Sequence, residues 1–320
     1  MKRIITTFHH AIILFATFTP LTGCATSSAI FKVRVVDDDN KPIKNVHSRF
    51  INIFDYGENR TGITDINGIF FNEIKNIFEV YGYFEKPGYY KTSGVIWRAS
   101  VQESLPSPGV IYTNVLKRII DPVPMILKDI STYPPRQDEP IGFDLEIGDW
   151  VFPDGKGKIT DLLVTAQGVR TSLSVFSYSL SVEFLGENNG FIFIYSPPKD
   201  TGSLLKSELL PPQIAPETGY EKIINHFARQ SPEEHRPTST RDNTRRLIFR
   251  VRTEVDENGK IVSANYGWSN NDLYIAIKPN GKGITGFSLD YYYNPDSQSR
   301  SLEPKEIADK QIKELPGGEK

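Results

Sequence analysis

The sequence predicts an all-β protein, made of two successive antiparallel β domains with one short helix. Apolar and polar residues alternate at period two in stretches such as Phe31-Lys32-Val33-Arg34-Val35, the spacing of a half-buried strand. Turn signals built on Asp, Asn and Gly separate these stretches at short intervals. Aromatic residues make up 12% of the chain, beside 24 glycines and 22 prolines, a composition that suits strands and turns of an exported protein better than helices.

The N-terminal segment opens with Lys2 and Arg3, continues into the apolar centre Ile12-Ile13-Leu14-Phe15-Ala16, and ends at Leu21-Thr22-Gly23-Cys24. A short positive region, an apolar run and small residues read as a secretory signal, too short and interrupted for a membrane-spanning helix. The tetrapeptide resembles the lipobox of bacterial lipoproteins. That resemblance implies a signal over residues 1–23, cleavage before Cys24 and acylation of that cysteine. Several acyl chains, at roughly 0.8 kcal/mol per buried methylene, give a stable anchor where one chain would not. Cys24 is the sole cysteine, so no intramolecular disulfide is available and stability must come from packing. Lys2 and Arg3 leave with the signal, so 37 basic residues fall to 35 against 39 acidic ones, a net charge of −4. Such a balance gives no electrostatic reason to expect nucleic acid or anionic lipid as a partner.

Residues 24–30 read as a linker that spans at most roughly 20–25 Å, which keeps the first domain, residues 31–130, near the membrane. Phe31, Val33 and Val35 form one face of its first strand, ended by the acidic turn Asp37-Asp38-Asp39-Asn40. A second strand runs over residues 46–54. Thr64-Asp65-Ile66-Asn67-Gly68 is the next turn, Ile69-Phe70-Phe71 resumes the strand, and Lys86-Pro87-Gly88-Tyr89-Tyr90 closes another. In order, "VVDDDNKPIKNV", "TGITDINGIFF" and "EKPGYY" resemble the carboxypeptidase regulatory-like, transthyretin-like domain. The resemblance covers residues 31–128, with 123–127 as the closing strand and 96–118 as an enlarged loop. It implies an Ig-like, seven-strand sandwich used as a non-catalytic module.

Tyr133-Pro134-Pro135 and Pro140 break the chain before a second domain, residues 131–300. In "RRLIFRVRTEVDENGKIVSANYGW", Leu247, Phe249 and Val251 share one strand face, while Arg246, Ile248, Arg250 and Arg252 share the other. Asp256-Glu257-Asn258-Gly259 is a hairpin turn, and Ala264, Tyr266 and Trp268 line a face of the return strand. Thr218 caps a predicted helix over 219–229, with Tyr220, Ile223, Ile224 and Phe227 as its stripe. Residues 301–320 hold a short helical patch and a charged tail. The segments "IDPVPMILKDI" and "GFDLEIGDWVFPDGKGKITDLLV" resemble uncharacterised bacterial lipoproteins that join a regulatory-like domain to a β-rich C-terminal region, a family that implies no activity.

Asp144, Glu146 and Asp149 beside Trp150, followed by Asp154 and Asp161, are the candidates for chemistry. Paired carboxylates serve glycoside hydrolysis and hard oxygens hold calcium; a solvated strand face gives the same pattern. Asp65-Ile66-Asn67-Gly68 lacks the further ligands of a calcium loop and reads as a turn. His226 and His235 have no zinc spacing, and neither a G-x-S-x-G elbow nor a phosphate loop is present. Arg241, Arg245, Arg246, Arg250 and Arg252 read as a solvated face paired with cross-strand acids. Trp97, Trp150 and Trp268, with Tyr291-Tyr292-Tyr293, are rings that would suit a sugar, with core packing as the alternative. Tyr291 and Tyr293 share the core face with Leu289, and Tyr292, on the opposite face, is the better surface candidate.

The expected function is that of a membrane-anchored envelope lipoprotein, a non-enzymatic binding or structural module without cofactor or metal. The alternative is a carbohydrate-active hydrolase using Asp144, Glu146 or Asp149. Expected partners are the membrane, through lipidated Cys24, and a glycan or another envelope protein. Ala25 stands where an aspartate would retain the lipoprotein at the inner membrane, and residues 25–30 carry no acidic run. The expected location is therefore the outer membrane, facing the periplasm.

Overall fold

A computed structural model describes residues 28–53, 59–98, 109–196, 204–278 and 283–313; Cys24 and the signal lie outside them. The chain is all-β, with one short helix among the described residues. It begins with β1 (Ser28–Val36), β2 (His47–Asn52), β3 (Asn59–Ile63), β4 (Ile69–Lys75), β5 (Glu79–Glu85), β6 (Thr92–Arg98) and β7 (Tyr112–Val115). β1 lies between β4, antiparallel, and β7, parallel. The facing sheet runs β6-β5-β2-β3 and gains β14 (Leu204–Ser207), which arrives from far along the chain and pairs with β6. Phe31, Val33 and Val35 of β1 meet Phe50, Phe70, Phe84 and Trp97 between the sheets. The turn at 64–68 is locked into this frame. The Asp65 carboxylate accepts from the N–H groups of Asn67 (2.9 Å) and Ile69 (2.7 Å). Gly68 has φ +73, and a Cβ there would stand 2.4 Å from the Val35 carbonyl oxygen, so glycine is required on two counts.

The second sandwich comprises β8 (Ile126–Thr132), β9 (Ile141–Asp144), β10 (Asp149–Trp150), β11 (Leu162–Arg170), β12 (Phe176–Phe184), β13 (Gly190–Tyr195), β15 (Ile223–Gln230), β16 (Thr238–Ser239), β17 (Arg245–Val255), β18 (Ile261–Ser269), β19 (Tyr274–Ile277) and β20 (Thr285–Asn294). One sheet is ordered β10-β9-β11-β12-β15-β16 and the other β13-β17-β18-β20-β19, with β8 also on β20. Phe143, Trp150, Leu180, Phe249, Phe287 and Tyr291 fill the space between them. A third cluster covers the outer face of the β17–β18–β20 sheet. There Ile248, Tyr266, Trp268 and Tyr292 pack with Tyr90 of the first sandwich and with Leu302 and Ala308 at helix α1 (Lys305–Lys313). This sheet is therefore buried on both faces.

Four sequence expectations change. Residues 219–229 are not helical: β15 pairs along β12 from Ile223↔Glu183 to Gln230↔Phe176, because strand pairing with an inward Ile224 and His226 overrides a weak helical stripe. The segment expected to close the first sandwich starts β8 instead, and β8 pairs with β20 from Ile126↔Tyr293 to Thr132↔Phe287. The eighth strand of the first sandwich, β14, comes from the stretch assigned to the second domain. The supposedly solvated face of β17 is covered, as Ile248 and Arg250 are both buried.

Candidate functional site

Three of the five acidic candidates, Asp144, Glu146 and Asp161, converge on Arg252, while Asp154 pairs with Arg136 (2.8 Å). β9 ends at Asp144, and a tight turn, closed by Gly148 N–H donating to the Asp144 carbonyl (2.8 Å), leads into β10. One Asp144 carboxylate oxygen accepts from the N–H groups of Glu146 and Ile147 (both 3.0 Å); the other accepts from Lys158 (2.8 Å) and Ile159 (3.0 Å). Arg252 Nη2 donates to Asp144 (2.8 Å) and to Asp161 (3.0 Å), and its Nε donates to Asp161 (2.9 Å). Glu146 takes Nη1. The Asp161 carboxylate also accepts from Leu145 N–H (2.9 Å).

A bulge places the guanidinium there. The β17–β18 register shifts between Val251 and Glu254, and Arg252 has φ +54. A bulged residue re-aims its side chain, so Arg252 leaves the face of Arg250 and reaches the inter-sheet side, 5.7 Å from the Tyr293 ring centroid. A left-handed arginine costs on the order of 1–3 kcal/mol, which the ion cluster offsets. Burial pushes the Asp144 carboxyl up, but the backbone N–H donors and Arg252 outweigh it and hold the group below its ordinary value. For Asp161 burial wins, and the pKa is raised despite the guanidinium. The arrangement is a clamp between sheets. A cation already occupies the position that a calcium ion would take, and the carboxylate oxygens are committed rather than poised for proton transfer.

The remaining candidates are also tied into the fold. Asp149 accepts from Trp150 N–H (2.8 Å) and Lys156 N–H (3.0 Å). Trp150 donates its indole N–H to Thr132 Oγ1 (2.9 Å) and lies edge-on to Phe143 and Phe287. Trp268 stacks on Tyr292 with ring centroids 5.0 Å apart. Tyr292 does face away from Tyr291 and Tyr293, but it is only 6% exposed and donates its hydroxyl to Glu306 of α1 (2.8 Å). The surface reading of Tyr292 is thus corrected, and Trp150 and Trp268 take the core alternative: each ring is buried. The arginines disperse likewise. Arg250 caps the carbonyls of Asn188 and Glu217 and lies over Tyr220, while Arg245 grips Asp272 (2.8 Å).

The concavities lie elsewhere. The outer face of the five-stranded sheet forms a groove of about 580 Å³ lined by His47, Arg49, Tyr83, Glu85, Lys91 and Glu208, with the Arg49 guanidinium 4.6 Å above the Tyr83 ring. A cavity of about 140 Å³ holds Asn114 and Lys117. Another, of about 160 Å³, holds His226, Thr240, Arg241 and Tyr274. In sequence, outward strand positions such as His47, Arg49 and Glu85 look like any solvated face; only the pairing of β2 with β3 and β5 brings them to one groove.

No protein-family model matches the chain, and no curated protein matches it. Among solved structures, a streptococcal ancillary pilin aligns at 13% identity and TM-score 0.19, covering 66% of this chain and 57% of that one. BcpA, the major pilin subunit of Bacillus cereus, aligns at 8% identity and TM-score 0.19, covering 87% of this chain and 98% of that one. TM-scores of this size do not establish a shared fold.

Proposed function

We propose that the protein is an envelope lipoprotein, tethered to the outer membrane through acylated Cys24 and facing the periplasm, which acts as a non-enzymatic binding or structural module. The Arg252 cluster is the observation that carries the non-enzymatic part. Asp144 and Glu146, with Asp161, hold the two sheets of the second sandwich together through one guanidinium, which commits two of the three carboxylates that the hydrolase alternative would use. The anchor rests on the lipobox resemblance at residues 21–24. The resemblance of the turns at 37–42, 64–68 and 86–90 to a regulatory-like domain supports a non-catalytic, membrane-proximal first sandwich. The binding surface in this reading is the groove of His47, Arg49, Tyr83 and Glu85, whose balanced charges and aromatic ring suit a neutral polyhydroxylated partner such as a glycan. Growth with an alkynyl fatty acid tests the anchor: wild type is labelled and membrane-bound, Cys24→Ala is neither, and an unlabelled wild type refutes it.

A further inference from the structure

We propose that the cavity between β7 and β14 is a binding site for a carboxylate with an adjacent N–H group, the chemistry of an N-acyl amino acid or of a peptide C-terminus. It rests on the reading of the chain as a binding module and gives that module a second site, apart from the groove.

Three observations meet there. Asn114 is only 2% exposed, yet neither its amide nitrogen nor its amide oxygen has a hydrogen-bond partner. Buried amides are nearly always satisfied, and leaving both a donor and an acceptor unpaired carries the full desolvation penalty of each. The fold places it so: Asn114 lies opposite Val35 in the parallel β1–β7 pairing, an inward position on the sheet's edge strand, where an apolar residue would be expected. Lys117, in the same lining, donates to the carbonyls of Leu210 (3.0 Å) and Pro211 (2.6 Å). An ammonium has three N–H donors, so one is left. Finally, the lining is mixed, with Thr92 and Ser196 among hydroxyls and Leu205 and Leu209 among apolar groups. The volume of about 140 Å³ equals that of on the order of five waters, room for a short ligand.

The ligand chemistry follows from the donors and acceptors. The third Lys117 N–H and the Asn114 amide N–H groups supply donors to a carboxylate, and a charge-assisted bond to Lys117 is the stronger of them. The Asn114 amide oxygen asks for a donor, which an N–H beside the carboxylate supplies. A bare anion would leave that oxygen unpaired, and an uncharged amide would leave the ammonium with carbonyls alone. Other titratable groups near the ammonium are Asp38, whose charge favours it, and Lys206 and Tyr195 in the lining. Burial lowers the Lys117 pKa to about 8, so the cation is present at neutral pH and is lost in mildly alkaline buffer.

Calorimetric titration of the full-length protein at pH 7 decides it, with N-acetylglycine, N-acetylglycinamide and tetraglycine as probes. The expected result is saturable one-to-one binding of N-acetylglycine, at least tenfold weaker binding of N-acetylglycinamide, and a comparable loss in Lys117→Met and Asn114→Leu but not in Lys44→Met. Tetraglycine binding as well as N-acetylglycine marks a peptide end as the ligand; its failure beside N-acetylglycine binding marks a small molecule. Should either cavity variant fail to fold, the wild type alone answers, because affinity for N-acetylglycine falls at least tenfold between pH 7 and 10. Absence of saturable binding by both carboxylates, or equal affinity for the neutral amide, overturns the site. Because acyl labelling is scored separately, loss of the anchor and loss of this site give different results.

Discussion

In the first sandwich most charge stays outside, with Glu79 beside Arg98 and with Lys117 as exceptions, whereas in the second more of it is taken in. Lys32, Arg34, Arg49 and Glu85 line outer faces of the first two sheets, and the carboxylates of its turns work locally: Asp37 accepts from the N–H groups of Asp39 (3.1 Å) and Lys41 (2.8 Å), just as Asp65 closes its own turn. The second sandwich has a covering layer. Helix α1, the 209–220 segment and Tyr90 cap its β17–β18–β20 sheet; on β17 Arg250 is buried and Arg245 and Arg252 half-buried, each with partners drawn from distant segments. A strand's charged face is solvated only if no third layer packs on it. A buried charge is then kept by geometry: Arg252 reaches Asp161 from 91 residues away.

Arg252→Met leaves Asp144 and Asp161 buried without their cation and should cost about 3–5 kcal/mol in denaturant unfolding. Lys41→Met, which removes the exposed Lys41–Asp39 pair of the first sandwich, should leave the unfolding midpoint unchanged. Arg252→Gly should be less harmful than Arg252→Ala by about 1 kcal/mol, since only glycine takes the left-handed backbone without strain. The covering layer is tested by Trp268→Ala, expected to cost about 3–5 kcal/mol as a fully buried ring is lost. Phe71→Ala, at a position 62% exposed, should stay within about 0.5 kcal/mol. Next comes Gly68→Ala, about 1–3 kcal/mol from strain at φ +73.

The smallest effects appear against pH. Burial, opposed by Asp272 and reinforced by Arg245, lowers the pKa of His226. Its contribution is full above the ordinary imidazole value of about 6.5 and is lost as pH falls through the lowered folded value, because the unfolded chain binds the proton first. Thermal melts from pH 7 to 5 should therefore decline less steeply for His226→Gln than for wild type. Lys117 acts in the alkaline range. The folded chain releases its proton near pH 8 and the unfolded chain near pH 10.4, so wild-type stability gains relative to Lys117→Met between those values.

What was legible in the sequence follows the same divide. The turns at Asp37, Asp65 and Asp256 were readable because an Asx side chain closes each within four residues; Asp256 accepts from Asn258 and Lys260 N–H (both 2.9 Å) as expected. The inward set Leu289, Tyr291 and Tyr293 was readable from alternation alone. Tyr292 was placed on the correct face of β20 but in the wrong medium, since its cover is a helix 13 residues further on at Lys305. Arg252 was assigned to the face of Arg250 because period-two counting runs straight through a bulge. The strand at β15 was missed because Ile223, Ile224 and Phe227 fit a helical stripe, while only the pairing with β12 makes Ile224 and His226 the inward pair. Asn114 and Lys117 carried no signal at all: their cavity exists only once β14 returns to the first sandwich.

The clamp reading of the acidic cluster is tested most directly by a double-mutant cycle on Arg252 and Asp161, measured by equilibrium urea unfolding. Arg252→Met and Asp161→Asn should each destabilise the chain by about 3–5 kcal/mol. The double variant should cost less than their sum by at least about 1–3 kcal/mol, the coupling of a shared buried pair. Single variants within about 0.5 kcal/mol of wild type, with additive effects, would contradict the clamp and return these carboxylates to the pool of groups available for catalysis.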